Sequence, residues 1–258
     1  MSLERITPGT DEWTRYHADH VQRYDFFSFL YKNKEVLDMA CGTGYGSHII
    51  SRTGAAFVVG VDISEEAIAF AQKNYEGDQI EFHRIDLVEA PNLKREFDVV
   101  ISFETIEHIQ EPKYLIETAY RMLKPNGKFV CSTPNKGKYS DLGVNNPYHI
   151  SELYYHEFKT LFMEYFEIEK EYHQTENINY QRIISLKQEV DLLRSYYNRS
   201  ITSTILKVLK WLLRLKKGSN NLGENIYFPR QSDFDIEEML KFENYYSVFI
   251  LEGIRKQK

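Results

Sequence analysis

One segment constrains this chain more than any other. VLDMACGTGYGSHII, residues 36–50, is an apolar run that meets glycines at 42, 44 and 46 and then continues as a helix-compatible stretch. Glycine lets the backbone turn sharply and pass close to a ligand where a Cβ would obstruct it. A strand that ends in such a turn and resumes as a helix opens a parallel α/β sheet, which binds its ligand beyond the carboxyl ends of the strands.

The same unit recurs downstream. AFVVGVD (56–62), QIEFHRID (79–86), FDVVISF (97–103) and GKFVCST (127–133) read as strands, with QIEFHRID alternating as a strand nearer an edge. Ser64 is placed to cap SEEAIAFAQKNY, with Glu65 and Glu66 against the helix dipole. Pro112 suits the first turn of PKYLIETAYRML, and Lys124-Pro125-Asn126-Gly127 predicts a turn after it. Strands buried on both faces and separated by helices imply an α/β, doubly wound, Rossmann-like sheet. Past residue 135 the pattern changes. Residues 151–166 predict a helix capped by Ser151, 166–173 a strand, 176–217 one or two long helices, and 245–254 a strand. We expect one domain: a helical cap over 1–33, a ligand-binding core over 34–175, a helical insertion over 176–235 and a final strand over 243–256.

Composition narrows the function classes. The 258 residues carry a net charge of −6, so no global basic field attracts nucleic acid, and none is expected as partner. No apolar run reaches the ~18 residues that a membrane helix needs. MSLERITPGTDEW lacks the apolar core of a signal peptide, so a cytoplasmic protein is expected. Cys41 and Cys131 fit neither a disulfide framework nor a metal-ligand spacing.

What the glycine turn binds depends on its flanks. A dinucleotide fold uses GxGxxG, whose turn receives a pyrophosphate. Here Asp38 ends the strand just before the turn, where a carboxylate would repel a pyrophosphate and attract an ammonium group. The carrier of adenosine, ribose and ammonium is S-adenosylmethionine. Asp62, at the end of the second strand, is placed to take both ribose hydroxyls. Asp86 would accept from the adenine amino group, while Ile63 and Leu87 would pack on the faces of the ring.

Taken in order, Asp-x-x-x-Gly-x-Gly (38–44), Val-Asp-Ile-Ser (61–64), Phe-Asp-Val-Val (97–100), Glu-Thr-Ile-Glu-His (104–108) and Leu-Lys-Pro-Asn-Gly-Lys (123–128) resemble the class I S-adenosylmethionine-dependent methyltransferases. The branch they resemble holds the quinone-biosynthesis O-methyltransferases and many sugar and natural-product enzymes. The resemblance covers roughly residues 30–175 and the last strand. It implies a seven-stranded, mostly parallel sheet whose last strand is antiparallel, with Asp38, Gly42, Gly44 and Asp62 as cofactor contacts. Ala40 stands where the family most often has glycine, a small-for-small exchange. Phe103 follows the fourth strand, whose end lies beside the cofactor in this fold. An N-terminal helix covers the cofactor in this family, and Arg23 there is the candidate partner of its carboxylate.

Methyl transfer to oxygen needs an acceptor within about 3–3.5 Å of the methyl, in line with the breaking bond, and a base for the hydroxyl proton. His108 and His149 are the candidate catalytic residues. If FETIEHI (103–109) begins a helical turn, Glu104, Glu107 and His108 share one face. With His149 they would form a site for Mg²⁺ or Zn²⁺, as some quinone O-methyltransferases and small-RNA 2′-O-methyltransferases resemble; no metal is assigned on that ground. The long segment STPNKGKYSDLGVNNPYHISEL (132–153) suits a substrate loop.

The expected function is methyl transfer from S-adenosylmethionine to a hydroxyl of a small molecule, a sugar or glycan first. A quinone-like phenol acceptor, a non-catalytic cofactor-binding scaffold and a nicotinamide oxidoreductase are the alternatives. One feature stands outside this core. ILKVLKWLLRLKK, residues 205–217, carries five positive charges and no acid, which leaves −11 on the remainder. Lys207, Lys210, Arg214 and Lys217 fall on one narrow face of a wide apolar helix, so it is expected to pack on the core, on a second copy, or on an anionic membrane as a peripheral contact.

Overall fold

The computed structural model of the chain describes residues 11–143, 146–174, 226–227 and 248–256. Strands β1 (Glu35–Met39), β2 (Phe57–Asp62), β3 (Ile80–Arg84), β4 (Phe97–Ser102), β5 (Leu123–Pro134), β6 (Phe166–Gln174), β7 (Ile226–Tyr227) and β8 (Val248–Arg255) form one sheet. Their order is β3-β2-β1-β4-β5-β8-β6-β7. β1 to β5 pair in parallel, and β8 inserts antiparallel between β5 and β6. The seven expected strands are present. An eighth, the two-residue β7, lies inside the stretch expected to be wholly helical and pairs with the end of β6. Residues 205–217 lie outside the described residues, as does most of the rest of 176–235. No helix among the described residues is long and apolar enough to cross a membrane.

Period-two burial sorts the strand side chains onto two faces. Leu37 and Met39 of β1 join Phe129 and Cys131 of β5 and Phe249 and Leu251 of β8 in one cluster. Val36, Val130, Val248 and Ile250 point the other way, into a second cluster. Helices α4 (Lys113–Met122) and α5 (Tyr155–Met163) cover the first face through Leu115, Ile116, Phe158 and Phe162. The second face receives α1 (Asp11–Phe26), α2 (Tyr45–Arg52) and α3 (Glu65–Tyr75), through Tyr24, Ile50, Ile68 and Ala71. Both faces of the sheet are therefore dry. That burial is why its central strands read as continuous apolar runs.

Local signals account for several boundaries. Ser64 caps α3, its side chain accepting from the Ala67 N–H. Two expectations require correction. The helix expected over 151–166 is shorter, Tyr155–Met163. The Ser151 N–H is taken by the Glu107 carbonyl, and Leu153 bridges to Asn135, so the backbone before 154 is committed elsewhere. Ser151 Oγ donates to the Gln110 carbonyl instead of capping. Lys124-Pro125-Asn126-Gly127 does not separate helix from strand by a free turn: it is looped out within β5. Leu123 pairs with Phe97 and Lys128 with Val99, and Asn126 takes a left-handed φ of 62°.

Candidate active site

The turn after β1 passes through left-handed backbone at Ala40 (φ 58°), Gly42 (φ 56°) and Gly44 (φ 81°), and Gly44 becomes the N-cap of α2. Ala40 thus adopts a conformation that costs a residue with a Cβ about 1–2 kcal/mol, the physical reason glycine suits that position. A Cβ on Gly42 would meet no atom of the described residues within 4 Å, whereas one on Gly44 would meet Ala71 Cβ at 2.6 Å and the Phe82 ring at 2.8 Å. Gly44 closes the packing, and Gly42 faces open space.

Asp62 clamps that turn. Its Oδ2 accepts the Gly42 N–H at 3.0 Å and its Oδ1 the Ser64 N–H at 2.8 Å. Asp38 is fully buried; it accepts from Ser47 Oγ at 2.6 Å and from the Tyr24 hydroxyl at 3.3 Å. Burial pushes its carboxyl up to about 7, the two hydrogen bonds opposing.

Arg23, near the end of α1, is 2% exposed. One guanidinium nitrogen donates to Gln174 Oε1 at 2.7 Å, and its buried Nε–H has no acceptor among the described residues. Phe103 is packed edge-on against Tyr24, centroids 5.0 Å apart, and lies tilted on Phe27. Ile63 is 60% exposed just beyond Asp62. Leu87 is half-buried and packs on the core, while its neighbour Val88 is 58% exposed. Asp86 is exposed and caps a 3-10 turn, Leu87–Leu93, by accepting the Val88 N–H.

The segment after β4 departs from the expected helical turn. Glu104 takes a φ of 52° and precedes a single 3-10 turn, Ile106–His108. Its N–H donates to Ser132 Oγ and its carboxylate accepts from the same hydroxyl, so Glu104 does not share a face with Glu107 and His108. His108 and His149 come together: their rings lie 5.0 Å apart at 69°. His108 Nδ1 is 3.0 Å from the Tyr148 carbonyl oxygen, and His149 Nδ1 is 2.6 Å from Glu152 Oε1. Buried Glu107 joins them, its ligating oxygen and one nitrogen of each ring lying within 4.8 Å of one another. Glu152, Ser132, Gln174 and Val88 were not singled out by the sequence. His149 and Glu152 are three residues apart, a short-range signal; Gln174 stands 151 residues from Arg23 and left none.

The donor set fits S-adenosylmethionine: a glycine open toward solvent, two carboxylates at adjacent strand ends, and a buried guanidinium with a spare N–H. The family model of the methyltransferase domain matches residues 30–191. This chain belongs to the methyltransferase-domain family. Over 156 residues it is 31% identical to a "Probable S-adenosylmethionine-dependent methyltransferase" of Mycolicibacterium smegmatis, covering 59% of each protein. Over 106 residues it is 38% identical to a ubiquinone biosynthesis O-methyltransferase of Pseudomonas putida, covering 40% of this chain and 45% of that one. The chain thus spans about three fifths or less of the curated relatives it matches. Phosphoethanolamine N-methyltransferase 2 of Haemonchus contortus, solved with S-adenosyl-L-methionine, superimposes with a TM-score of 0.58 at 16% identity, over 99% of this chain and 55% of that one. The [4+2]-cyclase SpnF gives 0.57 at 17% identity, over 93% of this chain and 81% of that one. A methyltransferase fold therefore serves unlike chemistries, and the acceptor has to be argued from the site.

Proposed function

We propose that this methyltransferase moves the methyl of S-adenosylmethionine to a hydroxyl oxygen of a small polar acceptor, a sugar or glycan before a phenol. The observation that carries this reading is the His108–His149 pair, 5.0 Å apart beyond the end of β4. The cofactor, when bound, supplies an electrophilic methyl on a sulfonium. Asp62 would hold the ribose, Arg23 the carboxylate and Asp38 the ammonium, with Ile63 against the adenine. A ring nitrogen of His108 or His149 takes the hydroxyl proton of the acceptor, which makes the oxygen a better nucleophile. The P. putida relative's name supports transfer to oxygen. The Tyr- and Asn-rich loop of 132–153 supports a polar hydroxylated acceptor. We place the reaction in the cytoplasm, with 205–217 as a dimer or peripheral membrane contact.

The Glu107, His108 and His149 cluster favours a second reading of the same site. A carboxylate and two imidazoles suit Zn²⁺ better than the oxygen-seeking Mg²⁺, and the ion would hold the acceptor oxygen and lower its pKa. The test is a panel of sugar and phenol acceptors, assayed with chelated and metal-reloaded protein. Replacing either histidine by Ala should cost about 10²–10⁴ in turnover while S-adenosylhomocysteine affinity is kept. Full activity in both variants would sink the reading. Chelation without effect would remove the metal from it.

A further inference from the structure

The partners of the two histidines are both acceptors. The Tyr148 carbonyl, which meets His108 Nδ1 at 3.0 Å, has no proton to give. Glu152, which meets His149 Nδ1 at 2.6 Å through Oε1, receives the N–H and the O–H of Ser140 at its other oxygen. Both oxygens of this carboxylate thus meet donors, and a carboxylate oxygen accepts. Each Nδ1 must therefore be the donor. A neutral imidazole has one proton, so Nε2 of each ring carries a lone pair. On His108 that nitrogen lies 3.8 Å from Glu107 Oε1.

The two anchors differ in kind. His108 is held by backbone and is fixed wherever Tyr148 lies. His149 is held by a side chain that is 4% exposed and is itself pinned by Ser140, in the loop after β5. Removing Glu152 would remove the acceptor that holds the His149 proton on Nδ1.

We propose that Glu152 is the positioning residue of the site: it fixes the tautomer and orientation of His149, leaving Nε2 as the accepting atom, and Ser140 ties that setting to the substrate loop. An oriented Nε2 serves a proton acceptor and a metal ligand equally, and carboxylates orient metal-bound histidines in the same way. The inference rests on the proposed function only for the use made of that nitrogen; the tautomer itself is readable without turnover.

The test is a long-range ¹H–¹⁵N spectrum of the ¹⁵N-labelled full chain at about pH 8, above the ordinary histidine pKa. In the intact protein both rings should show a pyrrole-type Nδ1 and a pyridine-type Nε2. Glu152→Ala should shift the His149 signals toward the averaged tautomers of free imidazole and leave those of His108 in place. Ser140→Ala should give a smaller shift in the same direction. S-adenosylhomocysteine titration of the same samples should agree within about twofold, which separates a lost anchor from a lost fold. Should Glu152→Ala fail to fold, the intact spectrum and Ser140→Ala decide. A pyrrole-type Nε2 on His149 in the intact protein, or an unchanged tautomer in a folded Glu152→Ala, overturns the proposal. Absent methyl transfer with the tautomers as stated would sink the function and leave Glu152 in its role.

Discussion

Asp62 Oδ2 accepts the backbone N–H of Gly42 at 3.0 Å, so the carboxylate at the end of β2 holds the turn that leaves β1. Its other oxygen holds the N-cap of α3 through Ser64. One side chain therefore sets two backbone segments, and it does so at the edge expected to receive the ribose. Asp62→Asn keeps one acceptor and turns an amide donor against a backbone donor. A hydrogen bond to a charged group is worth about 1.5–3 kcal/mol, so S-adenosylhomocysteine should bind about tenfold or more weakly by calorimetry. Equal affinity in the variant would show that the ribose is held elsewhere.

The two glycines of the turn should separate stability from binding. Gly44→Ala forces a Cβ against Ala71 and Phe82 at a φ of 81° and should cost about 2–4 kcal/mol of stability. Gly42→Ala meets no atom of the described residues within 4 Å and should cost about 1–2 kcal/mol through its backbone alone. It should nonetheless lose cofactor affinity, because its Cβ occupies the open side of the turn. Ala40→Gly relieves the strain at φ 58° and should gain about 0.5–1 kcal/mol after the entropy of glycine is counted. Denaturant melts and titrations of the three variants check these together.

Asp38 makes stability depend on pH. Its carboxyl is pushed up to about 7 by burial, against about 3.9 in an unfolded chain. Between those values the folded state holds a proton that the unfolded state has lost, so this contribution is complete below about pH 4 and is lost as pH rises through about 7. Asp38→Asn should flatten that slope and raise stability at pH 8 relative to the parent, read from urea melts at pH 5 and 8. If Asp38 receives the ammonium of the cofactor, S-adenosylhomocysteine affinity of the parent should rise across pH 7 and that of the variant should not. A pH-independent stability difference between the two would refute the buried-proton account.

Arg23 can be tested by subtracting its expected ligand. Arg23→Met keeps much of the buried stem and removes the guanidinium that meets Gln174. S-adenosylhomocysteine should bind about 10–100-fold more weakly, and 5′-methylthioadenosine, which lacks the amino-acid carboxylate, should change little. Equal losses for both ligands would assign Arg23 to packing.

Short-range patterns were legible along the chain because they report local energetics. Short apolar runs such as VLDMA and FDVVISF mark strands buried on both faces, as the two clusters around β1 and β4 show. Ser64 announces α3 through a bond to a residue three positions on. Glu104 misled for the opposite reason. Its spacing to Glu107 and His108 is helical, but Ser132, 28 residues away, holds it in left-handed backbone, and no local preference contains that contact.

By itself the sequence determined the sheet, its glycine turn and the acids at the strand ends, because burial periodicity, turn chemistry and capping act over a few residues. Tertiary structure alone decided which groups meet beyond those ends. The Arg23–Gln174 contact, the His108–His149 pair and the reciprocal Glu104–Ser132 bonds join elements far apart in the chain. Their geometry comes from strand order and crossover packing, so such side chains become neighbours only once the sheet has closed over its two cores.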